Sequence, residues 1–466
     1  MKKLNYLFLI SIFLVSCKFS NNTDSGLIAA KGQQPSVISN SKGDIMIVFG
    51  EEESIYYSTS KNQGTSFSEP SLIAKHKGLV LGYSSGPNIT VTSSSIVVTA
   101  PDETGNLNAW SRPLETDSWS GPFRINDVEK SVGENLAAIT STPDGHLYCV
   151  WIDTRVIRKN NHEEHASPNY KKPALKATPK EKHSSSNHKK STIESTPKIE
   201  VDLNQMTPIG ITKGELFKKI GDVPENAILS FHDSDNGKLY WVLFDKNKNV
   251  LKAESIEEYK NFRERNKDRV KTEGKIYLAS SNDGGKTWTK SKMIYQSPDG
   301  SVCECCKPSI ISDIDGNLTV MFRNNIDGSR DLYFTNSFDG GKTFSIPEKL
   351  GTGTWKINGC PMDGGDLTID KQNKLTTIWK RKGNIFMSNS STWEENIGVG
   401  KTPTISSNDQ NTYIGFSQGN DIISTTINDL VMIKIGTGSS PKVIALEKGA
   451  IYFWVNSDGI NYKKVF

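Results

Sequence analysis

Beyond residue 30 the apolar positions seldom recur at the spacing of an amphipathic helix. They fall in short runs rich in Val, Ile, Tyr and Phe, separated by Gly, Asp and Asn. A weakly apolar run, a polar turn and a stronger, nearly continuous apolar run come in pairs. These are PSVIS with DIMIVF (35–49), GPNITV with SIVVTA (86–100), NLAAITS with HLYCVWID (135–153), PSIISD with NLTVMF (308–322), DLTID with KLTTIW (366–379), PTISS with TYIGF (403–416) and PKVIAL with AIYFWV (441–455). Each pair leads into a third run, as in SIYYSTS, DLYFTNS, NIFMSNS and NDIISTT. Radial repetition of small antiparallel sheets produces this pattern, so the chain is expected to be an all-β propeller of four-stranded blades. Seven blade starts are counted. The last has three strands before Phe466, and Leu27-Ile28-Ala29-Ala30 is expected to add the fourth and close the ring. Six blades is the alternative, if the two weak C-terminal units are one irregular blade.

Turn chemistry sharpens the fold. Ser281-Asn-Asp283-Gly-Gly285-Lys-Thr287-Trp288 and Ser337-Phe-Asp339-Gly-Gly341-Lys-Thr343-Phe344 share one pattern, and Ser60-Lys-Asn62-Gln-Gly64-Thr-Ser66-Phe67 is a degenerate copy. A carboxylate at the third position can accept backbone N–H bonds, the glycines permit left-handed dihedrals, and the ring anchors the turn. These segments resemble the Asp-boxes of the sialidase/BNR-repeat superfamily. The resemblance covers residues 30–155 and 275–435. It implies a sialidase-like propeller with the boxes as structural turns between third and fourth strands, away from the ligand-binding face.

Composition changes the picture mainly at the N-terminus and in one insertion. The 466 residues carry 56 Lys+Arg against 52 Asp+Glu, a balance that leaves no basic footprint for nucleic acid. Met1–Cys17 begins with Lys2 and Lys3 and continues into a short apolar stretch. That stretch is well under the roughly 20 residues that span a bilayer. Its end, Leu14-Val15-Ser16-Cys17, resembles the lipobox of bacterial lipoproteins, which implies cleavage before a lipidated Cys17 and a lipid-anchored place in the cell envelope, at the outer membrane if the cell is Gram-negative. Blade three is interrupted after Arg155. Residues 157–208 read as a disordered basic insertion holding His162, His165, His183 and His188, of which His162 and His165, three residues apart, are a weak metal-binding candidate. Residues 209–270 read as a small α+β subdomain. The expected division is therefore a signal (1–17), a tether (18–26), propeller (27–156), the two inserted parts, and propeller again (271–466).

In a propeller, the loops joining second to third strands share a face with the links entering each innermost strand. Those segments place Asp102, Asp153, Arg155, Arg323 and Arg330 at one mouth, together with Glu51, Glu52, Asn456 and Asp458. Such a rim suits a glycan or another small polar anion, bound by a monomer. The sialidase resemblance adds a second expectation, an exo-acting glycoside hydrolase. Its arginine clamp would be Arg155, Arg323 and Arg330, its acid/base Asp153 or Asp102, and Tyr452 the available nucleophile. The early Phe-Arg-Ile-Pro motif of that family is missing, since the first arginine is Arg112. Cys303-Glu-Cys305-Cys306 and Cys360-Pro-Met362-Asp-Gly-Gly365 precede adjacent innermost strands and resemble motifs of a BNR-repeat lipoprotein subgroup. Disulfides are the plain expectation there. Cys303, Cys305, Cys306, Cys360 and Met362 as a copper or zinc site, and hence a metal-binding protein, is the other.

Overall fold

The computed structural model describes residues 25–82, 84–155, 228–233, 239–244, 250–255, 273–357, 359 and 361–466. The chain divides into two compact units, Met1–Val156 with Thr272–Phe466, and Ile157–Lys271. Cys17, residues 157–208 with their four histidines, and Cys360 lie outside the described residues.

The first unit is a β-propeller of seven four-stranded antiparallel sheets. Its second strands are the strong apolar runs of the sequence, and they are apolar along their length because both faces of each sheet are covered by neighbouring blades. Ile45–Gly50 and Leu147–Asp153 are buried at every position. The core is accordingly a series of layers between blades. Val97, Leu107 and Ala109 of blade two pack against Leu147, Trp151 and Tyr277 of blade three. At the closing seam, Ile45, Ile47 and Phe49 meet Ile451, Phe453 and Tyr462.

Ser25–Ala29 completes the seventh blade by pairing antiparallel with Gly459–Val465, in the register Gly26↔Tyr462 and Ala29↔Ile460. Seven blades, not six, are present, and the N-terminal strand covers what would be an open edge. In blade three, Leu147–Asp153 pairs directly with Lys275–Ser281, from Leu147↔Ser281 to Asp153↔Lys275. The long insertion thus connects a second strand to a third.

In the second unit the described residues form a three-stranded antiparallel sheet, Ile228–Asp233, Leu239–Phe244 and Val250–Ser255. Of the α+β subdomain expected over 209–270, these three strands are the described part.

Candidate functional site

The Asp-box turns are closed structures. Asp283 Oδ1 accepts the backbone N–H groups of Lys286 and Thr287, each at 3.0 Å, and Oδ2 accepts the Thr287 hydroxyl at 2.6 Å. Ser281 Oγ accepts Gly285 N–H at 3.0 Å, and Trp288 Nε1 donates to Gly285 O. Ser337, Asp339, Gly341 and Thr343 repeat these bonds in the next blade, where Phe344 packs on the inter-blade core. The Thr343 and Ser337 hydrogen bonds hold the Asp339 carboxyl down to about 2. In the degenerate copy Asn62 Oδ1 accepts Ser66 N–H at 3.0 Å while its amide donates to Ser66 Oγ. All three join third strands to fourth.

The opposite face differs. Innermost strands enter there through bulges, at Gln33/Ser36, Lys401/Thr404 and Ser439/Lys442. Each bulge puts a non-glycine residue before a proline into the left-handed region: Gln34 (φ 52°), Thr402 (φ 51°) and Ser440 (φ 55°). That conformation is costly for such residues, and more so before proline. These three residues line a cavity of about 100 Å³ at the mouth of the central channel, with Asn88, Lys307, Asp363 and Lys442. Lys307 Nζ donates to Asn88 Oδ1, joining blade four to blade two across the mouth. Enclosure in protein pushes the Lys307 ammonium down to about 7, and the Lys442 charge pushes the same way.

The carboxylates near this mouth are already engaged. Asp363 Oδ2 accepts Thr402 N–H at 2.9 Å, with Lys380 Nζ 3.8 Å away. Asp366 Oδ2 accepts the Thr404 hydroxyl and Ile405 N–H. Gly364 packs on Lys307, where a Cβ would come within 1.9 Å of the Lys307 carbonyl oxygen. The paired glycines after Asp363 therefore let this loop lie directly against the lysine segment. Beside the axial cavity, and sharing Gln34 and Ser440 with it, a groove of about 490 Å³ runs between blades one and seven, past Glu51, Glu52 and Asn456.

The residues expected to form a clamp have other partners. Arg323 is buried, and its guanidinium donates to Asp363 O at 2.8 and 3.1 Å, Arg330 O at 2.6 Å and Lys380 O at 3.0 Å. It ties three loops together through their carbonyls. Arg155 makes a two-pronged pair with Asp153 (2.7 and 2.8 Å), lies 3.1 Å from Asp127 and stacks on Tyr277. Asp153 is buried and also accepts Trp151 Nε1 at 2.9 Å. Burial raises the Asp102 carboxyl, but bonds from Thr104 and Asn106 outweigh it and hold it below the usual range. That is the wrong direction for a general acid. Tyr452 is buried, donates to Ile414 O, and is pushed further from ionisation by burial. Arg330 alone of the three arginines keeps a buried Nε without a hydrogen-bond partner.

Of the sulfur residues, the structure brings Cys303, Cys305 and Cys306 together, while Met362 lines the axial cavity. Cys305 is disulfide-bonded, and Cys303, Cys306 and Cys149 are free thiols.

The two lysines were not singled out in the sequence. A signal for them exists: Pro35, Pro87, Pro308, Pro403 and Pro441 open five innermost strands at one structural position. The residues beside them form the ring around the axis.

Residues 260–361 match the family model described as a BNR repeat-like domain, a span that holds both complete Asp-boxes. No curated protein sequence matches the chain significantly. Among solved structures, a protein of unknown function from Dyadobacter fermentans is 14% identical, with 94% of this chain and 97% of that one covered and a TM-score of 0.38. The NanB sialidase from Streptococcus pneumoniae is 10% identical, covering 95% and 70%, at a TM-score of 0.38. An α-L-arabinanase from Penicillium chrysogenum is 11% identical, covering 94% of each chain, at a TM-score of 0.40. The chain is thus a seven-bladed β-propeller with Asp-box-like turns, and its residues 260–361 are similar to a BNR repeat-like domain.

Proposed function

We propose that the propeller is a binding protein for glycans carrying a carboxylate, sulfate or similar anionic group. The observation that carries this reading is the pair Lys307 and Lys442 at the axial mouth, where the nearby carboxylates already have partners. A cavity of about 100 Å³ accommodates one such group, not a whole sugar ring with its substituents. The adjoining groove can take the neutral part, with Glu51, Glu52 and Asn456 as hydrogen-bond partners for hydroxyls. Retention without turnover is the favoured reading because Asp153, Arg155 and Arg323 are committed to internal bonds, and Asp102 is held ionised. A lipid on Cys17 would hold the domain at the envelope surface, where such glycans are met.

The test is a glycan panel probed with the full chain, comparing acidic saccharides with their neutral counterparts. Selective retention of acidic members without hydrolysis supports the proposal. Equal retention of both, or release of the terminal sugar, contradicts it.

A further inference from the structure

The cysteine cluster adjoins the anion pocket without lining it, and its geometry is specific. Cys303 Sγ lies 3.6 Å from both Cys305 Sγ and Cys306 Sγ, and the remaining edge is 4.0 Å. Three thiolates on one metal at about 2.3 Å stand about 3.8 Å apart when tetrahedral and about 4.0 Å apart when trigonal. The sulfurs therefore sit at the spacing of a common ligand sphere. A tight turn holds them there: Cys306 N–H donates to Cys303 O, and Cys303 N–H to Arg323 O at 2.9 Å.

The surroundings suit an anionic metal–thiolate centre. Cys303 and Cys306 are buried, and both feel the Arg323 guanidinium, with Arg330 also acting on Cys303. Asp363 N–H reaches the Cys306 sulfur. A trithiolate holding a monovalent or divalent d¹⁰ cation carries a net charge of minus two or minus one, which two guanidinium groups offset. The buried Arg330 Nε has no hydrogen-bond partner, as expected of a group whose counter-charge is a sulfur centre.

We infer that Cys303, Cys305 and Cys306 form a redox-gated site for a thiophilic d¹⁰ cation, Cu(I) or Zn(II). With Cys305 in its disulfide the site has two thiols and is closed to three-coordinate binding. A dithiol reductant opens it. The reductant gives two electrons and two protons to the disulfide, becomes a disulfide itself, and leaves Cys305 and its partner as thiols. Metal binding then displaces the thiol protons to solvent.

The experiment uses the full chain, oxidised or reduced with a dithiol and desalted without oxygen. Free thiols are counted, and Cu(I) and Zn(II) are titrated separately against a competing chelator, with thiolate-to-metal charge-transfer absorption as a second readout. The reduced protein is expected to bind about one equivalent of at least one of the two ions, and the oxidised protein to bind at least tenfold more weakly. Cys306→Ser should lose the reduced-state binding, and Cys149→Ala, changing the strand thiol, should keep it. Stoichiometric binding of Cu(I) alone or Zn(II) alone assigns the ion. The inference is overturned if the reduced chain binds neither, if oxidised and reduced chains bind equally, if Cys306→Ser binds as the parent does, or if reduction unfolds the propeller by circular dichroism.

Discussion

At the Asp-box end of the propeller the defining side chains of the boxes bond within their own turns. Asp283 and Asp339 accept N–H and hydroxyl donors from their own turns, and the left-handed positions in the complete boxes are glycines. At the open end the pattern reverses. Gln34, Thr402 and Ser440 occupy left-handed conformations without being glycine, and two lysines face each other's charge across a small polar cavity. Backbone strain and like-charge proximity cost stability, and a fold keeps such features where something outside the chain can compensate them. One end is closed on itself; the other, on the proposed reading, is completed by a ligand.

Arg323 sits at the open end yet behaves like a residue of the closed one. Arg323→Ala leaves several buried carbonyls without a donor and should destabilise the protein by about 3 kcal/mol or more in chemical denaturation. The variant molecules that remain folded should still retain acidic ligands. A selective loss of binding with unchanged stability would make Arg323 a ligand residue instead. Lys442→Met tests the opposite kind of residue: acidic-glycan affinity should fall at least tenfold (about 1.4 kcal/mol), while the denaturation midpoint stays put or rises. Gln34→Gly should then stabilise the chain by about 0.5–1 kcal/mol, since glycine adopts the left-handed bulge freely. A clear loss of stability there would show that the bulge is not strained.

The architecture was legible because strands covered on both faces must be apolar throughout, which makes Ile45–Phe49 and Leu147–Ile152 visible without any structure. The Asp-boxes were legible because their bonds are local, within a few residues. Arg323 was not. It stands on a polar loop like an available arginine, and only the return of Asp363 and Lys380 from the next blade buries it. Lys307 and Lys442 likewise meet only because blades four and seven face one axis. Pairings between distant segments are set by ring closure, which no local pattern encodes.

The smallest effect concerns the closed end itself. The Asp339 carboxyl is held at about 2, below its ordinary value, so its contribution to stability is present above about pH 4 and disappears as pH falls through 2. Asp339→Asn should lower the melting temperature slightly at pH 7, and the gap to the parent should close by pH 2. The mildness is foreshadowed by Asn62, which forms a box turn with an amide in the same place. A gap that persists at pH 2 would assign the loss to packing instead of charge.

The most direct measurement is a calorimetric titration of one acidic saccharide and its uncharged ester into the parent and a Lys307→Met/Lys442→Met variant. Saturable binding of the acid to the parent, weakened by salt, is expected, with the ester and the double variant both failing to bind. Undiminished binding of the acid by the double variant, with its fold intact by circular dichroism, would contradict it.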